Sequence, residues 1–124
     1  MNSEDLKLRV RNFGIRVLKM SEHLPKKDSA NIISQQIIRS ASSAGANYRA
    51  ACRSKSPRDF INKMKIVEEE LDETEFWLLM IDEMAYVPPE KLKELKQEAH
   101  ELLSIVVKSV ITAKNNQKLK KAES

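Results

Sequence analysis

The sequence predicts an all-α protein folded as one antiparallel up-down-up-down four-helix bundle, and three observations carry that prediction. Only two glycines, Gly14 and Gly45, and four prolines punctuate 124 residues, whereas a sandwich, barrel or doubly wound sheet needs turn residues at roughly every ten positions. Apolar residues recur at alternating spacings of three and four along four separate stretches, the period of helices that turn one face to a core. The breaks between them, Leu24 to Asp28, Ser54 to Ser56 and Tyr86 to Pro88, are short enough to force antiparallel neighbours. A composition of 41% hydrophobic and 32% charged residues is too apolar for a disordered chain, and the length is that of one domain.

The first stripe is Leu6, Val10, Phe13, Val17, Met20 and Leu24, and Pro25 ends it. The second helix should begin near Asp28 or Ser29, either able to cap it, and carries Ile33, Ile37, Ser40, Ala44, Asn47 and Ala51. From Ala41 to Ala46 its side chains are small, so a neighbouring backbone can come close. The third helix has the clearest start: Ser56 as N-cap, Pro57 in the first turn, and Asp59 placed to reach back to the free amides. Its seam runs Phe60, Met64, Val67, Leu71, Thr74, Leu78, Ile81 and Ala85. The fourth begins at Pro89 and runs Leu92, Leu95, Ala99, Leu102, Val106, Val110 and Ala113. The bundle domain is therefore residues 1–113, and 114–124 form a basic C-terminal tail expected to fray.

Two stretches are more apolar than one core requires. Residues 76–81 are apolar around the whole circumference, and the second helix has a further stripe of Ile38, Ala41, Gly45, Tyr48 and Cys52. Either the bundle itself or another subunit covers them. An oligomer interface would use Tyr48, Phe76, Trp77 and Met80.

Most chemistry is excluded by residue type. Two isolated glycines cannot build a phosphate-cradling loop, and one cysteine with two separated histidines cannot make a structural zinc site. A di-iron bundle needs Glu-x-x-His on two helices, but Met20 and Gln97 stand where those glutamates would be. The six carboxylates of residues 68–75 are then a solvated acidic face. No catalytic residue, metal or cofactor is expected. Cys52 has no disulfide partner and sits among small neighbours, which suits a packed thiol in a reducing compartment. With no apolar run of membrane-spanning length and no signal-peptide core at the N-terminus, the expected location is the cytoplasm, away from membranes.

Charge is strongly segregated: residues 1–58 carry net +8, residues 59–107 net −8 and residues 108–124 net +4. An up-down-up-down bundle brings the start of the first helix, the second break and the end of the fourth helix to one pole. Arg49, Arg53, Lys55, Arg58 and Lys63 gather there with Lys7, Arg9, Arg11 and the tail lysines, a surface suited to a polyanion. Aromatic residues make up 5% of the chain, too few for base stacking along a single strand, so phosphate contact is the expected mode. Arg39 is expected level with Glu68, Asp72 and Glu75 and paired within the acidic belt.

Gln36, Arg39-Ser40-Ala41, Gly45-Ala46-Asn47, Ser56, Asp59-Phe60, Lys63 and Glu73-Thr74-Glu75 followed by Trp77-Leu78 form a specific combination. Through it the chain resembles the bacterial four-helix-bundle family of 23S rRNA intervening-sequence proteins, itself similar to the accessory variability determinant of diversity-generating retroelements. The resemblance implies a homopentameric ring, binding to RNA or DNA, association with a reverse transcriptase, and no enzyme activity. The chain departs from the family pattern at Ala50, where a glutamate is usual, and at Glu69 and Asp72, where basic residues are usual, which strengthens the acidic belt. The functional expectation is a non-enzymatic oligomeric scaffold with a nucleic-acid-binding or adaptor role through the basic pole. The rival is a protein-interaction module that binds no nucleic acid.

Overall fold

In a computed structural model, which describes residues 1–123, the chain forms four helices: α1 (Ser3–Ser21), α2 (Asp28–Cys52), α3 (Pro57–Glu83) and α4 (Pro89–Glu123). Each helix packs against its two neighbours in ring order, α1 with α2 and α4, and α3 with α2 and α4. Connections of four to six residues leave no other route than antiparallel packing.

The helix starts are governed by local hydrogen bonds. Asn2 and Asp5 form a reciprocal capping box on α1, the Asn2 side chain accepting from the Asp5 amide at 2.9 Å. Ser56 caps α3 as its sequence predicts, accepting from the Asp59 amide at 3.1 Å, with Pro57 in the first turn. The Asp59 carboxylate, however, takes Lys63 one turn on, at 2.8 Å. Neither Asp28 nor Ser29 caps α2: the N-cap is Lys27, without a side-chain cap, and Ser29 instead shares a hydrogen bond with the Tyr86 hydroxyl at the end of the bundle opposite the basic pole.

The predicted stripes of α1, α2 and α4 enter one core through Phe13, Ile37, Leu92 and Leu102, and the middle of α3 joins it through Met64, Leu71, Leu78 and Ile81. At the start of α3 the buried residue is Ile61, with Phe60 only packed against the core: both lie one turn before Met64, and the three-residue step is the one that faces inward. Ala85 is not a core residue. It adopts φ 53°, the left-handed position after the C-cap Met84, while the Ala85 amide donates to the Asp82 carbonyl and the Tyr86 amide to the Ile81 carbonyl. α4 continues past Ala113, and residues 114–123 are helical where the tail was expected to fray; their lysines, glutamine and leucine are adequate helix formers. Ser124, the end of that tail, lies outside the described residues.

Small side chains set the spacing of α1 and α2. A Cβ at Gly14 would lie 3.5 Å from the Ala41 carbonyl oxygen, and one at Gly45 would lie 3.9 Å from the Arg11 Cα. The two helices therefore approach closely at those levels. The surplus apolar residues divide. Tyr48 is 4% exposed and belongs to the core of the single chain, so it leaves the expected interface set. Cys52, expected to be packed, is exposed: it follows the buried Ala51 in the last turn of α2 and lies on the side that opens to solvent. Trp77 is half-buried against the core, its ring edge-on to Phe76 at 4.9 Å, whereas Phe76 and Met80 stay exposed on α3.

Candidate polyanion-binding surface

The pole formed by the N-terminus, the α2–α3 turn and the end of α4 encloses an open cleft of about 970 Å³. Helix length explains it: α4 runs ten residues beyond the last core position assigned from the sequence and overhangs the turn. The cleft has an apolar floor with Tyr48, Ala51, Phe60 and Ile105, and Lys55 and Lys120 in its lining beside a single carboxylate, Glu123. Ser54 lines it too, its Oγ buried and without a hydrogen-bond partner among the described residues. Arg58 is exposed in the first turn of α3, next to the lining residue Pro57. Burial of the Tyr48 ring, with a smaller contribution from neighbouring Cys52, pushes its hydroxyl above the usual tyrosine range. Tyr48 thus stays neutral here and offers a hydroxyl, not a phenolate.

The basic residues predicted for this pole are not all on it. Arg49 and Arg53 face sideways, with Lys7 and Arg11, into a separate groove of about 560 Å³ between α1 and α2. Lys63 is tied to Asp59 at 2.8 Å, so its charge is partly spent. Arg9 leaves the pole altogether. Its guanidinium bridges to α4, donating to Glu98 from Nε at 2.9 Å and from Nη2 at 2.7 Å, and pairing with Glu101 at 2.7 Å. These bonds, first to Glu98 and then to Glu101, raise its pKa further above its already high ordinary value. Distinct from these, Lys55 and Arg58 have no carboxylate partner among the described residues.

The acidic belt opposite is organised by α2. Arg39 does pair within it, but with Glu70, at 2.9 Å, and Glu73, not with the predicted Glu68, Asp72 and Glu75. Glu70 and Glu73 lie beside the buried Thr74, which bonds to Ser40 next to Arg39, and this brings those two acids within its reach. The Trp77 indole N–H donates to Glu73 at 3.0 Å, and this bond, with Arg39 adding to it, holds the Glu73 carboxyl below the usual carboxylate range. Directly beneath, Ser40 and Thr74, both fully buried, share a hydrogen bond of 2.7 Å. Arg39 and Ser40 thus fasten α2 to α3 through Glu73 and Thr74, while Ala41 faces α1 and Glu75 pairs with His100 of α4. Among the described residues no group of three or more His, Cys, Asp and Glu is arranged to hold a metal ion, and no helix is long and apolar enough to cross a membrane.

With this geometry in hand, the family model described as 23S rRNA-intervening sequence protein matches residues 5–108. Among solved structures, the chain is similar to a protein of unknown function from the S23 ribosomal protein family of Bacteroides thetaiotaomicron VPI-5482, at 29% identity and a TM-score of 0.81. That match covers 89% of this chain and 98% of the other. No curated protein matches.

Proposed function

The chain belongs to the 23S rRNA-intervening sequence protein family, and from that premise we propose that it is a non-enzymatic, self-associating scaffold whose basic pole holds the phosphates of RNA or DNA. The observation that carries the reading is the pole cleft, where Lys55 and Lys120 meet beside exposed Arg58 and the overhanging Lys118. An open cleft with cations on its rim suits an extended polyanion, and long basic side chains on an exposed surface suit phosphate contact without base readout. Self-association multiplies the effect, since several poles side by side attract a polyanion more strongly than one chain of net +4. A ring of five, cytoplasmic and associated with a reverse transcriptase, is the form that the family resemblance suggests.

The reading is tested by fluorescence anisotropy with a labelled mixed-sequence RNA and the matching DNA at low salt. The triple variant Lys55→Glu, Arg58→Glu, Lys120→Glu should keep its helix content and bind about tenfold or more weakly. Unchanged affinity in the folded variant would remove the pole from the site. No binding by the unaltered protein would favour a protein-interaction module, whose anchors would be the exposed Phe76, Leu79 and Met80.

A further inference from the structure

We propose that the groove between α1 and α2 receives the outer face of α3 from a second copy of this chain, in a parallel, head-to-tail contact. The inference rests on the self-association reading above and assigns its two faces.

The groove has a floor of small residues, Gly14, Ala41, Gly45 and Ala46, and two exposed leucines, Leu8 and Leu18, along α1. Its charged lining is wholly cationic, Lys7, Arg11, Arg49 and Arg53. The three arginines have no carboxylate partner among the described residues, whereas Lys7 pairs with Glu4 at 3.0 Å. The outer face of α3 is its counterpart. Glu69, Asp72, Phe76, Leu79, Met80 and Glu83 are all exposed and follow one another at helical spacing on one side of the helix. The remaining acids of this segment turn inward: Glu70 and Glu73 to Arg39, Glu75 to His100 and Asp82 to Lys96. Of the α3 acids without an ion pair among the described residues, Glu69, Asp72 and Glu83 are exposed on this face and Glu68 is half-buried beside it, so the exposed unpartnered acids of α3 and the unpartnered arginines of the groove are left for each other.

The two faces also read in the same order. From the basic pole upward, the groove presents cations at Lys7 and Arg11, then Gly14 and Leu18; α3 presents acids at Glu69 and Asp72, then Phe76 and Met80. Counted from the helix starts, each acid lies about eight residues further along than its cation, and so does each apolar partner, a common stagger of about 12 Å at 1.5 Å per residue. One offset satisfies charge, bulk and direction together. Because the faces differ, the contact is heterologous, and a stagger of this kind closes into a ring when each bundle tilts against the ring axis, as strands do in a barrel. A phosphate chain would use the arginines but would leave Leu8, Leu18 and the small-residue floor without a partner, which is why a second copy is the favoured occupant.

The test is sedimentation velocity on the full chain and three variants, with circular dichroism as the folding control. All four altered residues are exposed, so the helices should persist. Arg11→Glu with Arg49→Glu, and separately Glu69→Arg with Asp72→Arg, should each weaken self-association on the order of 100-fold or more, giving monomers at micromolar concentration. All four substitutions in one chain should restore the assembly, which a merely damaged surface would not do. Single-face variants that keep the mass of the unaltered protein, or a fourfold variant that stays monomeric while folded, would overturn these faces and leave self-association standing. A monomeric unaltered protein would overturn self-association itself.

Discussion

The α2–α3 seam and the α1–α4 seam hold the same bundle by different means. Between α2 and α3, apolar side chains interlock along the helices around a buried hydroxyl pair, Ser40 with Thr74, and the ion pairs of Arg39 lie outside at the rim. Between α1 and α4 the charged contact is deeper and more nearly alone: Arg9 and Glu98 have side chains 24% and 17% exposed, with Glu101 beside them, and the other bridge, Arg16 to Glu94, is long at 3.8 Å. A half-buried guanidinium with three short bonds is preorganised, whereas an exposed one is screened by water and salt. The contrast teaches that the most distinctive motifs of the sequence mark the densest packing, while the weaker seam depends on a residue that sequence charge alone assigned to the basic pole.

That contrast can be broken at either seam. Arg9→Ala should have the largest effect, a loss of about 1–2 kcal/mol in urea unfolding, because Glu98 is left half-buried without its donor. Arg39→Ala should cost less, and high salt should erase what it costs. A larger loss for Arg39 than for Arg9 would reverse the assignment. Next is Thr74→Val, which leaves the Ser40 hydroxyl with only its 3.3 Å bond to the Ile37 carbonyl and should cost about 1 kcal/mol. Adding Ser40→Ala should recover part of that loss, since removing both polar partners is gentler than orphaning one. Smaller and of opposite sign, Ala85→Gly should raise stability by about 0.5–1 kcal/mol, because the left-handed conformation at the end of α3 costs alanine more than glycine.

The smallest effect is a pH dependence. Glu73 binds its proton less readily in the fold than in the unfolded chain, chiefly through the Trp77 indole and then through Arg39. A group with a lowered folded pKa adds stability above its unfolded value and loses it as pH falls through the folded one. The stability difference between the unaltered protein and Trp77→Phe, which keeps a ring but lacks the N–H, should therefore be present at neutral pH and shrink under acid. A difference that stays constant from neutral to acid pH would assign the role of Trp77 to packing alone.

Much of this was legible from residue spacing. Alternation of three and four found the core of α1, the middle of α3 and the length of α2, since a helix that must bury one face writes that face into its sequence. Ser56 and Pro57 fixed the start of α3 because their chemistry is local. Less legible was which of several close positions meets a neighbouring helix: Ile61 in place of Phe60, or Glu70 and Glu73 in place of Glu68, Asp72 and Glu75. The left-handed Ala85 carries no signal, as glycine would have. Asn2 with Asp5 is a capping signature that a search centred on apolar stripes passes over. The basic pole was legible as a sum of charge but not as a shape. Only the folded chain separates the cleft of Lys55 and Lys120 from the groove of Arg11 and Arg49, and shows Arg9 and Lys63 already engaged.

The central claim, that the pole of this bundle holds a phosphate backbone, is tested most directly by measuring RNA affinity across a salt series. The account predicts that the logarithm of the binding constant falls steeply and linearly with the logarithm of salt concentration, and that the slope flattens by about one for each phosphate-contacting lysine or arginine removed among Lys55, Arg58 and Lys120. A binding constant that does not change with salt, or a slope that these substitutions leave untouched, would contradict it.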